Sequence, residues 1–71
     1  MLSLQVVLSS AGTWCVSPDG RGAPELEYAR RETAEAAAAR EIERRGGGKV
    51  FVFDADGRLV KVIRVAHQPA A

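Results

Sequence analysis

Residues 50–65, VFVFDADGRLVKVIRV, set two apolar runs around two aspartates and a glycine, and no other stretch constrains the fold as tightly. Runs rich in Val, Phe and Ile bounded by turn residues predict a β-hairpin. Ala55 and Asp56 suit a type I turn, Gly57 supplies the positive φ of a bulge, and Asp54 falls opposite Arg58 as a cross-strand charge pair. A calcium loop would need a bidentate glutamate at its twelfth position, where the chain has Val65. The Gly-rich GGGK at 46–49 follows a helical segment and opens a strand, the reverse of the order that aims a helix N-terminus at phosphate.

With that turn, regular pairing sets Phe53 opposite Leu59, Val52 opposite Val60, Phe51 opposite Lys61 and Val50 opposite Val62. One face then carries Val50, Val52, Val60 and Val62, and the other Phe51, Phe53, Leu59 and Ile63 with Lys49 and Lys61 at its margin. A sheet that carries one helix needs a polar outer face, yet this hairpin is apolar on both. Lys49, Phe51, Phe53, Leu59, Lys61 and Ile63 are therefore the candidate interface or ligand face.

Upstream, Leu2, Leu4, Val6 and Leu8 alternate with Ser3, Gln5 and Val7, the period of a strand with one buried side. Trp14 and Val16 continue that side on a second strand, so residues 2–17 read as a hairpin closed by the loop SPDGRGAP at 17–24. A helix from Glu32 to Arg45 ends on GGG, with arginines in its last turn. Its stripe of Ala34, Ala38, Ala39 and Ile42 lies opposite Leu26, Ala29, Thr33 and Ala37, so residues 25–29 belong to a short extended segment or a separate turn. The fold class is α+β: ββαββ, an antiparallel sheet with one helix on one face. Its core holds Leu4, Val6, Trp14, Val16, Ala38, Ile42, Val50, Val52, Val60 and Val62.

At 71 residues the chain is one small domain, residues 66–71 reading as a disordered tail, and its core is near the lower limit of size. One cysteine, Cys15, allows no internal disulfide, and with one histidine it closes no four-ligand zinc site. The usual staples of small domains are missing, which favours self-association. A net charge of +1 argues against duplex DNA as partner. MLSLQVVLSS lacks a preceding Lys or Arg and alternates, so it reads as a strand rather than a secretion signal; no run reaches the about 18 apolar residues of a membrane span. A cytoplasmic protein without cofactor follows as the expectation. Trp14 reads as core. Cys15, on the other side of its strand, is expected to be partly exposed and has no His beside it to activate a thiolate. His67 sits in the tail, and no carboxylate pair or activated nucleophile is singled out, so the reading is non-enzymatic.

The chain resembles a family of small uncharacterised bacterial proteins with a Gly-Trp-x-Val strand, a Glu/Ala-rich helix and an Asp-Gly-Arg turn. Trp14 and Val16, Tyr28, Ala39-Arg40-Glu41-Ile42, Gly47, Val50 to Val52 and Asp56-Gly57-Arg58 carry the resemblance. It departs from that pattern at Arg30, where the family has a Ser or Thr helix cap, and at Phe53, where it tends to a polar residue or His. The resemblance implies a helix packed on an antiparallel sheet and no activity. The functional expectation is an interaction domain that forms a homodimer, or docks on another protein, through the free face of the C-terminal hairpin. The alternative is a single-stranded nucleic-acid binder stacking bases on Phe51 and Phe53 between Lys49 and Lys61.

Overall fold

The computed structural model describes residues 2–18 and 26–66. The expected tail from residue 67 on, His67 with it, and most of the 17–24 loop lie outside the described residues. Five strands, β1 (Leu2–Leu8), β2 (Trp14–Ser17), β3 (Leu26–Tyr28), β4 (Gly48–Phe53) and β5 (Leu59–Val65), form one sheet in the order β3-β2-β1-β4-β5. The one helix among the described residues, α1 (Arg31–Arg44), lies between β3 and β4 in sequence. The segment excluded from the helix by its wheel is thus a strand, as one of the two readings had it.

The sheet is mixed, which corrects the all-antiparallel expectation. β1 pairs antiparallel with β2, but parallel with β4, in the register Leu4↔Val50 and Val6↔Val52. The reason is topological. After β3 the chain sits at one edge of the sheet, and α1 carries it back across the face to the far side of β1, where β4 runs in the same direction. Parallel neighbours need such a crossover.

Leu4, Val6, Val16, Ala34, Ala38, Ile42, Val50 and Val52 form the buried core between α1 and the sheet, with Trp14, Tyr28, Ile63 and Val65 packed at its margin. Ala34 and Ala38 are small enough to bring the helix backbone close to the strands, and Ile42 is the largest side chain that the helix buries fully. The helix stops in a Schellman arrangement: Gly46 N–H donates to Glu43 O at 3.1 Å and Gly47 N–H to Ile42 O at 2.8 Å, with Gly46 at φ 102°. Among the described residues no helix is long and apolar enough to cross a membrane.

The helix start is less well served. Arg30 occupies the N-cap with extended φ and ψ and makes no side-chain cap hydrogen bond. Substituting Arg30→Ser supplies an oxygen for the open N–H groups of the first turn and is expected to stabilise the fold by about 1 kcal/mol, raising the melting midpoint by roughly 4–8 °C. Thermal unfolding by circular dichroism checks this; an unchanged or lower midpoint contradicts it.

Candidate interaction surface

The loop between β4 and β5 is built by Asp54. Its Oδ1 accepts from Asp56 N–H and from Arg58 N–H, both at 2.9 Å, while Gly57 N–H donates to Asp54 O at 3.0 Å and Gly57 sits at φ 83°. Asp54 N–H also donates to Arg58 O at 2.9 Å, so the two residues stand opposite each other as the sequence predicts. Asp54 directs its carboxylate at the turn backbone rather than at the Arg58 guanidinium, which replaces the expected charge pair. This is turn chemistry that demands Asp and Gly at these places, and it accounts for Asp54 Oδ1.

Beyond the turn the register departs from the regular pairing. Phe53 does pair with Leu59, but Val52 pairs with Lys61, Phe51 with Val62, Val50 with Ile63 and Lys49 with Arg64. A bulge at Val60 absorbs one residue, and every side chain of β5 beyond it changes face. Four expectations are corrected by that single residue. Val60 and Val62, assigned to the core, are 50% and 40% exposed. Lys61 and Ile63, assigned to the free face, stand on the helix side, where Ile63 packs against the core. The register gained is the better buried one, because it turns Ile63 and Val65 towards α1.

Lys61 confirms the assignment by its partner. Its Nζ reaches Glu35 Oε1 on α1 at 2.5 Å, and Glu35 is only 8% exposed. Arg31 Nε lies 3.3 Å from the other Glu35 oxygen, close enough for an ion pair without the alignment of a hydrogen bond, and the Arg31 guanidinium stands 5.9 Å from the Trp14 ring centroid. The network ties the edge strand β5 and, on the other side, β2 to the helix. Lys61→Ala is expected to cost about 1 kcal/mol, since one partner is half exposed, and to leave any self-association unchanged. Chemical denaturation and light scattering on the same variant separate the two effects.

The face turned away from α1 carries Lys49, Phe51 and Phe53 from β4, Leu59, Val62 and Arg64 from β5, Ser3, Gln5 and Val7 from β1, Cys15 and Ser17 from β2, where Ser17 is buried, and Glu27 from β3. Phe51 and Phe53 are half-buried against their neighbours in the sheet, and Leu59 is 51% exposed. Neither α1 nor β3 covers the rings, because β3 lies at the opposite edge of the sheet. Of the six residues read as the interface, Lys49, Phe51, Phe53 and Leu59 share this face. Val7, Val62, Arg64 and Glu27 were missed; Val7 alone had left a trace, as an apolar residue on the polar side of its strand. Cys15 is buried at 6% exposure rather than partly exposed, its Sγ 3.8 Å from Glu27 Oε1. No group of three His, Cys, Asp or Glu able to hold a metal ion occurs among the described residues.

On α1, Glu41 Oε2 accepts from Arg44 Nη2 at 2.7 Å and from Arg45 Nε at 2.6 Å. The hydrogen bond from Arg44, then that from Arg45, holds the Glu41 carboxyl below its ordinary value. A carboxyl lowered in the folded state stabilises above its ordinary pKa, and that contribution is lost as pH falls through the lowered value. Carbon-13 titration of Glu41 is expected to give a midpoint below the ordinary glutamate value; a midpoint at or above it contradicts the paired geometry.

The model of a family described as an uncharacterized protein conserved in bacteria (DUF2188) matches residues 4–64. The chain belongs to this family. The match runs from β1 to β5 and so includes the free face and the hairpin turn, and the DUF2188 description assigns no activity. No curated protein and no solved structure matches the chain.

Proposed function

We propose that the protein is a non-enzymatic interaction domain that self-associates through the free face of its sheet. The observation that supports this reading is that Val7, Phe51, Phe53, Leu59 and Val62 make a contiguous apolar band on the side of the sheet opposite the helix. Apolar patches of several hundred Å² on small proteins usually mark interfaces. The two sheet edges are poor alternatives. β3 has only three residues, and β5 is guarded by its bulge and by the inward-pointing Lys61, both familiar devices against edge pairing. Association face to face is the arrangement left.

Leu59 and Val62 offer the cleanest test, since both are highly exposed and their replacement disturbs little within one chain. Leu59→Thr with Val62→Thr keeps strand propensity and is expected to cost below about 1 kcal/mol in stability while weakening dimerisation at least about tenfold. Analytical ultracentrifugation from micromolar to millimolar concentration reads the second effect. A wild-type chain that stays monomeric across that range overturns the reading.

A second reading, single-stranded nucleic acid, takes its support from Lys49 and Arg64 beside Phe51, Arg64 having replaced Lys61 on that face. Fluorescence anisotropy with short oligonucleotides at low salt tests it, and absence of binding at about 100 μM ends it.

A further inference from the structure

Lys49 and Arg64 stand directly opposite each other on the free face, and neither has an ion-pair partner among the described residues. Like charges directly opposed across two strands destabilise the pair. Glu27 lies on the same face at the other edge: it pairs with Cys15, Cys15 with Val7, and Val7 continues the β1–β4 register to the level of Phe53. Its Oε1 accepts from Thr13 Oγ1 at 3.0 Å, which steadies the side chain, and its Oε2 makes no hydrogen bond among the described residues. The face therefore has a basic corner and an acidic corner. With strands about 4.8 Å apart and residues about 3.3 Å apart along them, the corners are about 20 Å from each other. They cannot neutralise one another within one chain.

We infer that two copies pack sheet to sheet about a two-fold axis that exchanges these corners, so that Lys49 and Arg64 of each meet Glu27 of the other. The inference rests on the self-association proposed above and specifies its geometry. An axis lying between the two sheets and bisecting the line from corner to corner passes over Gln5 and Phe53. Gln5 is self-complementary, since its amide carries both donors and acceptors, and Phe53 meets its own copy. Phe51 falls beside the partner's Val7, apolar against apolar. The strands of the two sheets then cross roughly at right angles, one of the two common ways in which sheets pack. Cys15 and Ser17 of β2 are already buried at 6% and 3% exposure, so the open strip of β1, β4 and β5 is about 14 by 20 Å and buries about 300 Å² per copy, below the size of a stable specific interface; a weak dimer is the form expected.

The experiment reverses one corner at a time. Lys49→Glu with Arg64→Glu sets three carboxylates against one another in a homodimer, and Glu27→Lys sets three cations together; each variant alone is expected to dimerise at least about tenfold more weakly than wild type. Mixed in equal amounts, the two variants match at both corners, and a heterodimer of near wild-type affinity is expected by sedimentation velocity. Near-ultraviolet and far-ultraviolet circular dichroism establish that each variant is folded. If one is not, the salt dependence of wild-type dimerisation gives a second reading, with several-fold weakening expected between 0.05 and 0.5 M NaCl. Variants that dimerise as wild type does, a mixture that stays monomeric, or a wild-type affinity that does not fall with salt would overturn the corner exchange. In each of these cases a wild-type dimer leaves self-association itself standing, whereas its absence removes both.

Discussion

A helix of 14 residues can lie against only one face of a five-stranded sheet, and the architecture follows from how the strands divide their side chains between that face and the other. On the helix side, Ala34 and Ala38 let α1 settle close to Leu4, Val6, Val50 and Val52, so a small apolar surface is enclosed. Glu35 stands at the rim of this contact and holds Lys61 and Arg31, which pins β5 to the helix on one side and brings Trp14 in on the other. Everything the helix cannot reach stays on the far side. The two phenylalanines of β4 remain there because β4 is an internal strand, flanked by β1 and β5, and alternation turns Val50 and Val52 inward.

Much of this was legible in the sequence where local chemistry is decisive. Asp54, Asp56 and Gly57 specify their turn through hydrogen bonds within five residues, and the glycines after Arg45 specify the helix stop in the same way. The alternation of Leu4 and Val6 against Ser3 and Gln5 fixes which side of β1 is buried. Three features were not legible, each for a physical reason. Strand direction leaves no mark in a four- to seven-residue strand, so β1 beside β4 could not be known to run parallel. β5 has apolar residues on both faces, so a one-residue slip at Val60 leaves its pattern equally acceptable, and only the gain from Ile63, Val65 and the Lys61–Glu35 pair selects the bulged register. Glu27 became part of the surface only when β3 joined the sheet beyond β2.

The candidate surface was consequently half visible: the ring-bearing strand was identified, and its partner strand was turned over. The correction strengthens the physical case for a face-to-face contact. Lys61 leaves the surface for an intramolecular partner, Val62 brings an apolar side chain into line with Phe51, and Arg64 joins Lys49 to give the face an electrostatic direction. A purely apolar face would associate without orientation, whereas one with opposed charge corners favours a single arrangement. The family to which the chain belongs is shown by the match over residues 4–64, and the function argued above rests on side-chain placement rather than on that membership.

The central claim, that the sheet face opposite α1 is an association surface, is tested most directly by following methyl and aromatic proton–carbon spectra as the concentration rises from micromolar to millimolar. Signals of Val7, Phe51, Phe53, Leu59 and Val62 are expected to shift together along one binding curve, with those of Ala34, Ala38, Ile42 and Ile63 unmoved. Shifts confined to α1 or to the outer edge of β5, or spectra independent of concentration throughout, would contradict it.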